Sequence, residues 1–441
     1  MSFRAARTSV AAVIITTASL LAGCEEPAQE PAPDSSGSFD CDEGAPISQQ
    51  FDSGSAWAMC WSVHEDFGLV LSDITFTPAG GEAIPVIASL SIAQLEVPYD
   101  HGETTTEDIT EAGFGGGHML TLTDTHCVGE VLAAEIPYVG EGEVGASPVR
   151  DVLCSDVVDA GVAYTSNDTG QTQAARRSEW QLSTLSRVSW YEYISLYTFG
   201  DDGSIRPSLG ATGNLSPVDY TDSDHGWPVG EGDDDHAASH SHNAVWRIHW
   251  SLGGGDLAVQ QYDASPTGVY GPKSEVVDGS LADLDHPTTA EWVDRRWWRV
   301  LAPEILNADG HPISYQIDLE YTDTFTFTSD AHTHGSDAGY DVAFTNASTC
   351  ELFATSNPGD CGDSVLDYVA DSSTEQLSDV VSWVAVGFHH VARDEDQGPM
   401  DSHWQGFTLL PRDLTAQRIN PPEGYADLNG EPGEAWQLPG S

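Results

Sequence analysis

Short runs of alternating apolar and polar residues, broken every few positions by Gly, Pro, Asn or Asp, constrain this chain more than any other feature. The stretches 68–76, 190–199 and 243–250 all carry this pattern. Period two places alternate side chains on opposite faces of an extended segment. Amphipathic helical patterns are few, and 280–299 is the best of them. No fixed-period repeat stands out. The pattern predicts an all-β protein. A length of 441 residues favours one large β-sandwich with few short helices over a row of small domains.

Composition narrows the function. Thirteen Trp and 39% hydrophobic residues are too many for a disordered chain. The 15 cations against 70 acids give a formal charge of −55, and Lys273 is the single lysine. No cationic stripe exists to neutralise a phosphate backbone, so nucleic acid is excluded as a partner. Docking on anionic lipid through protein charge is excluded too. Such a surface keeps a protein soluble and weakly attracts cations, protonated amines among them.

The N-terminus reads as an export signal over 1–23, with Arg4 and Arg7 ahead of an apolar run from Val10 to Leu21. Leu21-Ala22-Gly23-Cys24 resembles the bacterial lipoprotein box. That resemblance implies lipidation at Cys24 and a place in the bacterial cell envelope: outer membrane, periplasm or cell surface. The alternative is an ordinary secretory signal cut nearby. Residues 24–50, rich in Pro, Glu and Ser, read as a tether. A body over 51–425 and a C-terminal tail over 426–441 follow. Six cysteines remain in an oxidising compartment, where disulfides persist. Cys41–Cys60, Cys127–Cys154 and Cys350–Cys361 are the pairs nearest in sequence, but about 15 connectivities are open to six cysteines.

Nucleophile-elbow, zincin, Walker and dinucleotide-binding signatures are all absent. Residues 394–398 mimic the start of a calcium loop, but Gln405 stands where the bidentate Glu belongs. The acidic stretch 220–235 reads as a solvated loop. What remains is histidine. His240 and His242 open a strand-like run and project from one face, so two imidazoles can converge on one borderline metal ion. A second pair, His332 and His334, lies in a Gly- and Asp-rich loop and reads as a decoy.

The flanks give these histidines a context. His240-Ser-His-Asn-Ala-Val-Trp-Arg247 resembles the His-x-His…Arg strand of the copper, topaquinone-containing primary amine oxidases. Gly387-Phe-His-His-Val-Ala-Arg-Asp-Glu-Asp-Gln-Gly-Pro-Met400 is similar to that family's third-ligand segment, in a register that makes His390 the ligand and His389 its neighbour. Val188-Ser-Trp-Tyr-Glu-Tyr193 stands where the family carries its cofactor tyrosine, with Tyr191 forty-nine residues before His240. Matching segments continue upstream through Val97-Pro-Tyr-Asp100 and Cys127-Val-Gly-Glu-Val131, and the resemblance spans about 55–425.

The resemblance implies copper(II) at His240, His242 and His390, and topaquinone made from Tyr191. It casts Asp108 as catalytic base, Tyr99 as a hydrogen-bond partner of the quinone, and Cys127–Cys154 as a disulfide. A primary amine and O2 would be the substrates, and a homodimer embraced by hairpin arms the assembly, one arm beginning near 255–262. Two departures stand out. Trp190 replaces the Asn that precedes the cofactor tyrosine, and cannot reproduce an amide's hydrogen bonds. The peripheral calcium site is eroded, with His249 and Ser251 at acid positions and Asp379 retained. The first expectation is therefore an envelope-anchored amine oxidase. The second is a non-catalytic copper-binding lipoprotein on the same scaffold, and the third an unrelated all-β surface lipoprotein that binds glycans.

Overall fold

The computed structural model describes residues 39–136, 148–166, 172–217, 220–232, 234–319, 322 and 339–419. Two antiparallel sheets carry most of them. The nine-stranded sheet runs Ala45–Gln50, Ala56–His64, Gly68–Thr77, Ile84–Pro98, His240–Trp250, Val380–His390, Val342–Asn346, Thr288–Ala290, with Thr105–Glu107 beside Ile84–Pro98. The ten-stranded sheet runs Glu275–Leu284, Ala258–Tyr270, Trp297–Leu306, Pro312–Leu319, Met400–Arg412, Ile205–Gly213, Tyr191–Gly200, Gln173–Val188, Val149–Ser166, Glu130–Glu135.

The sheets pack face to face, because every second residue of their central strands is large and apolar. Trp57 of the first sheet meets Phe199 of the second at 5.2 Å, Trp246 meets Phe407 at 5.5 Å, and Trp250 meets Tyr315 at 5.7 Å. Such pairs contribute about 0.5–1.5 kcal/mol each beyond the area they bury. The Trp57 indole N–H also donates to the Gly200 carbonyl at 2.9 Å, so the layer is pinned as well as greased. Strand His240–Trp250 is buried on both faces. Its even positions point at the second sheet, while Val245 packs outward with Trp383 and Tyr368 against the short helix Val365–Asp371. A β-sandwich is the predicted fold and the observed one.

Three expectations meet the structure here. The stretch 280–299 is not helical: it is divided among Glu275–Leu284, Thr288–Ala290 and the start of Trp297–Leu306. Its apolar spacing mimics a helix, but Pro287 interrupts it, and the pairing of Leu284 with Val259 and of Gly279 with Ala264 supplies the backbone bonds instead. Within the span 24–50 read as a tether, Ala45–Gln50 is an edge strand paired with Ala56–His64. Polar composition hid a segment that gains its order from a ladder and from Cys41–Cys60 rather than from burial. All three disulfides join the cysteines nearest in sequence: Cys41–Cys60, Cys127–Cys154 and Cys350–Cys361. Cys24, the export signal, the tail 426–441 and the His332/His334 pair lie outside the described residues.

Candidate metal and catalytic centre

Strand geometry assembles a histidine cluster directly. His240 and His242 share a face by parity, and the antiparallel register sets His390 directly opposite His240. His389 therefore points to the other face, where it meets the Asp100 carboxylate at 3.0 Å. The parity decides between the two adjacent histidines. Each of His240, His242 and His390 is almost wholly buried, and one ring nitrogen from each lies within 4.8 Å of the others.

Hydrogen bonds fix which nitrogens those are. His240 donates from Nδ1 to the Ala238 carbonyl at 3.2 Å, leaving an Nε2 lone pair that accepts the Tyr191 phenol at 2.8 Å. His390 donates from Nε2 to the Asp396 carboxylate at 3.1 Å, leaving Nδ1 facing the same phenol at 3.4 Å. The Nε2 of His242 is buried with no hydrogen-bond partner among the described residues. Burial and the neighbouring His390 push His240 down to about 3, and burial holds His242 well below the usual imidazole range. Neutral imidazoles with converging lone pairs are what copper or zinc needs, and an orphaned buried nitrogen among them fits a metal ion. The donor set fits copper.

Tyr191 opens the strand Tyr191–Gly200 on the facing sheet, and Tyr193 follows on the same face with its ring 5.9 Å away. Burial, then the nearby Tyr99 and Asp396, hold the Tyr191 phenol well above its ordinary pKa, so it is a neutral donor before any metal arrives. Asp108 begins a single wide turn after Thr105–Glu107, and its carboxyl is buried. Burial raises it to about 6, against the opposing hydrogen bonds from Thr106 and Tyr193. The Tyr193 hydroxyl lies 3.4 Å from Nδ1 of His242. Tyr193 thus touches both the carboxylate and the metal cluster. Sequence analysis missed it, although its position two residues after Tyr191 carried the signal.

Asp108, Tyr191, Tyr193, Tyr99, Val97, Thr106 and Trp190 line one cleft. Its volume is about 20 Å³, roughly the room of one water molecule. Tyr99 stacks on the His240 ring at 4.7 Å, which places it against the metal ligand as well as in the cleft. Trp190 sits in the two-residue turn between the paired Val188 and Tyr191, where Ser189 takes φ 55°. The turn is packed from behind: Asn214 donates to the Trp190 carbonyl at 2.9 Å, and a Cβ on Gly213 would lie 2.5 Å from that oxygen. At the expected calcium positions, His249 bonds Asp379 at 2.7 Å. Asp396 and His403 were also missed. Asp396 was read as part of a failed calcium motif and of the third-ligand segment without a role, yet it is buried against His390.

Comparison with known proteins agrees with this geometry. Residues 53–420 match the model of the copper amine oxidase enzyme domain. The chain is 25% identical over 382 residues to the histamine oxidase of Arthrobacter globiformis, covering 81% of this chain and 55% of that protein. It is 24% identical over 378 residues to a primary amine oxidase of Arthrobacter sp. strain P1, covering 80% and 57%. The chain thus spans little more than half the length of these relatives. In fold it is similar to a copper-containing benzylamine oxidase from Hansenula polymorpha, with a TM-score of 0.70 at 22% identity over 88% of this chain and 65% of that one. The Aspergillus nidulans amine oxidase is similar too, with a TM-score of 0.68 at 17% identity over 83% and 52%. With its strands, its three buried histidines and its enzyme-domain match in agreement, the chain belongs to the copper amine oxidase family.

Proposed function

We propose that this protein is a copper-dependent primary amine oxidase that forms topaquinone from Tyr191 and uses Asp108 as its base. The observation that carries the reading is the single cleft in which Asp108, buried and raised to about 6, faces Tyr191 while the Tyr191 phenol bonds a three-histidine cluster. Copper and topaquinone, once bound and formed, supply the electron sink and the route to O2. His240, His242 and His390 would hold the metal.

The chain's own residues do the rest. Asp108 takes the α-proton of the amine, a step its raised pKa suits, because a base works best when its pKa lies near the working pH. Tyr193 holds that carboxylate by a hydrogen bond and fixes its aim. Val97, Val188 and the rings of Tyr99 and Trp190 narrow the cleft to about 20 Å³ beside the carboxylate, which leaves little room for water there and keeps the group basic. The overall reaction would convert a primary amine, O2 and water to aldehyde, ammonia and hydrogen peroxide.

One observation favours the second reading, a copper-binding protein without cofactor chemistry: Trp190 helps close the cleft to about 20 Å³. Aerobic reconstitution with Cu(II), followed by a visible spectrum with and without phenylhydrazine, separates the two. A quinone band that shifts to a hydrazone and is lost in Tyr191→Phe supports the oxidase. A colourless protein that binds copper supports the other.

Two further parts of the reading concern placement. Lipid anchoring through Cys24 would hold the enzyme in the bacterial envelope, and Cys24→Ser should release it to the soluble fraction. Homodimer formation is supported by the hairpin Ala258–Tyr270/Glu275–Leu284, which exposes Val269, Tyr270, Val276, Val277 and Leu281. Light scattering on the purified protein tests it.

A further inference from the structure

The imidazole of His390 faces two clusters. Its Nδ1 turns to Tyr191 and the three-histidine site, and its Nε2 turns the opposite way, 3.1 Å from Oδ2 of Asp396. Strand Met400–Arg412 brings His403 to the same carboxylate, with Nε2 3.6 Å from Oδ1. The His403 ring lies 4.6 Å from His390 and stacks on Phe388 at 5.3 Å, which sets its direction. One donor atom from each of His390, Asp396 and His403 lies within 4.8 Å of the others.

From these residues we infer a second metal site, held by His390 Nε2, an Asp396 carboxylate oxygen and His403 Nε2, for a divalent ion of the zinc or copper class. An ion bound to nitrogen and oxygen at about 2.0–2.1 Å in tetrahedral geometry sets its ligand atoms about 3.3 Å apart. His390 Nε2 lies 3.1 Å from Oδ2 and His403 Nε2 3.6 Å from Oδ1, so each imidazole meets one oxygen of the same carboxylate near that spacing. Orienting His390 requires Asp396 alone, and does not account for His403. The Nε2 of His403 is shielded from solvent and makes no hydrogen bond among the described residues, its nearest polar neighbour being Asp396 Oδ1 at 3.6 Å, and a buried polar atom left so calls for a partner such as an ion. Its side chain is 16% exposed, whereas Asp396 is wholly buried, so an ion reaches the cluster from the His403 side.

Binding is an exchange without redox change. The ion takes the place of the proton on His390 Nε2, which leaves to solvent, and His403 binds as neutral imidazole. The Arg393 guanidinium, which bonds Oδ1 at 3.2 Å, has a half-exposed side chain and can turn to water, while the Arg393 backbone N–H keeps Oδ2 in place at 3.0 Å. With both sites filled, His390 bridges two ions.

The test is a metal count on copper-loaded protein treated with Zn(II) and passed through a mild chelator, repeated in Tyr191→Phe protein. That background keeps the count independent of the oxidase reading. The expected result is one copper and one zinc per chain, falling to copper alone in His403→Gln and returning to two ions in His403→Asp. Loaded with copper only, wild-type protein should show a weakened electron paramagnetic resonance signal from the bridged pair, and His403→Gln the full signal of one isolated copper. One ion per chain in the wild type overturns the site. So does a zinc count unchanged in His403→Gln, which would move the second ion to the acidic surface. If His403→Gln loses copper as well, His403→Asp decides: two ions support the site and one overturns it.

Discussion

The two halves of the centre are built on different kinds of backbone. The histidine half rests on His240–Trp250 and Val380–His390, central strands whose register sets His240 against His390. The cleft half rests on turns: Asp108 on a single wide turn and Trp190 on a two-residue hairpin. A strand inside a sheet has one way to place each side chain, so the metal half is rigid and tolerant of change in the cleft. Turns have many, and Trp190 stands there in place of the expected Asn while the ring nitrogens of the three histidines still lie within 4.8 Å of one another. Metal binding and the proposed base chemistry should therefore respond separately to substitution.

The largest effect that can break this separation is Tyr191→Phe. It should abolish the hydrazone-forming chromophore completely and leave copper stoichiometry intact. Loss of copper along with the band would mean that the phenol belongs to the metal half. Asp108→Asn comes next, with kcat lower by about 10²–10⁴-fold and the quinone band unchanged. The same substitution should stabilise the fold. Below the unfolded carboxyl's pKa of 3.8 both states hold the proton and nothing is gained; above it the unfolded chain ionises first, and the penalty grows until the folded group ionises near 6. Asn removes that penalty, worth about 3 kcal/mol at neutral pH, measurable by urea unfolding at pH 7 and absent at pH 3.

As the proposed base, Asp108 should set the acid limb of activity. The base works ionised, so kcat/KM should rise with pH and level off above about 6; a limb near 4 would place Asp108 in contact with water. Trp190→Asn should speed hydrazone formation by about tenfold, the equivalent of about 1.4 kcal/mol, with copper content unaltered. No change in stopped-flow rate would show that the turn does not limit access. The smallest effect is Tyr193→Phe. Its hydrogen bond lowers the Asp108 pKa, so its removal should move the acid limb upward, by less than a unit on the scale of a single neutral hydrogen bond. An unmoved limb would make Tyr193 a donor to His242 rather than to Asp108.

Period-two alternation made the sandwich legible, and the same alternation put His240 with His242 and could have put Tyr193 with Tyr191. The order of motifs along the chain pointed to His390. Strand pairing explains why it is His390 and not His389, because a neighbour one residue away faces the opposite side of the sheet. Where sequence reading failed, the cause was tertiary. Residues 280–299 have helical spacing but find their partners across a hairpin, and Ala45–Gln50 has a tether's composition but a ladder to join.

By itself, then, the sequence determined the sheet architecture, the three histidines that cluster and the cysteines that pair, since each follows from local periodicity, motif order or redox chemistry. Only the tertiary structure decided what surrounds them. Asp396 and His403 meet His390 because a short turn and the strand Met400–Arg412 fold back on it, and Trp190 and Asp108 line one cleft because two turns from opposite sheets close on it. Contacts between segments far apart in the chain leave no local period to read, and burial, which sets the proton affinity of Asp108, exists only after the sheets have closed.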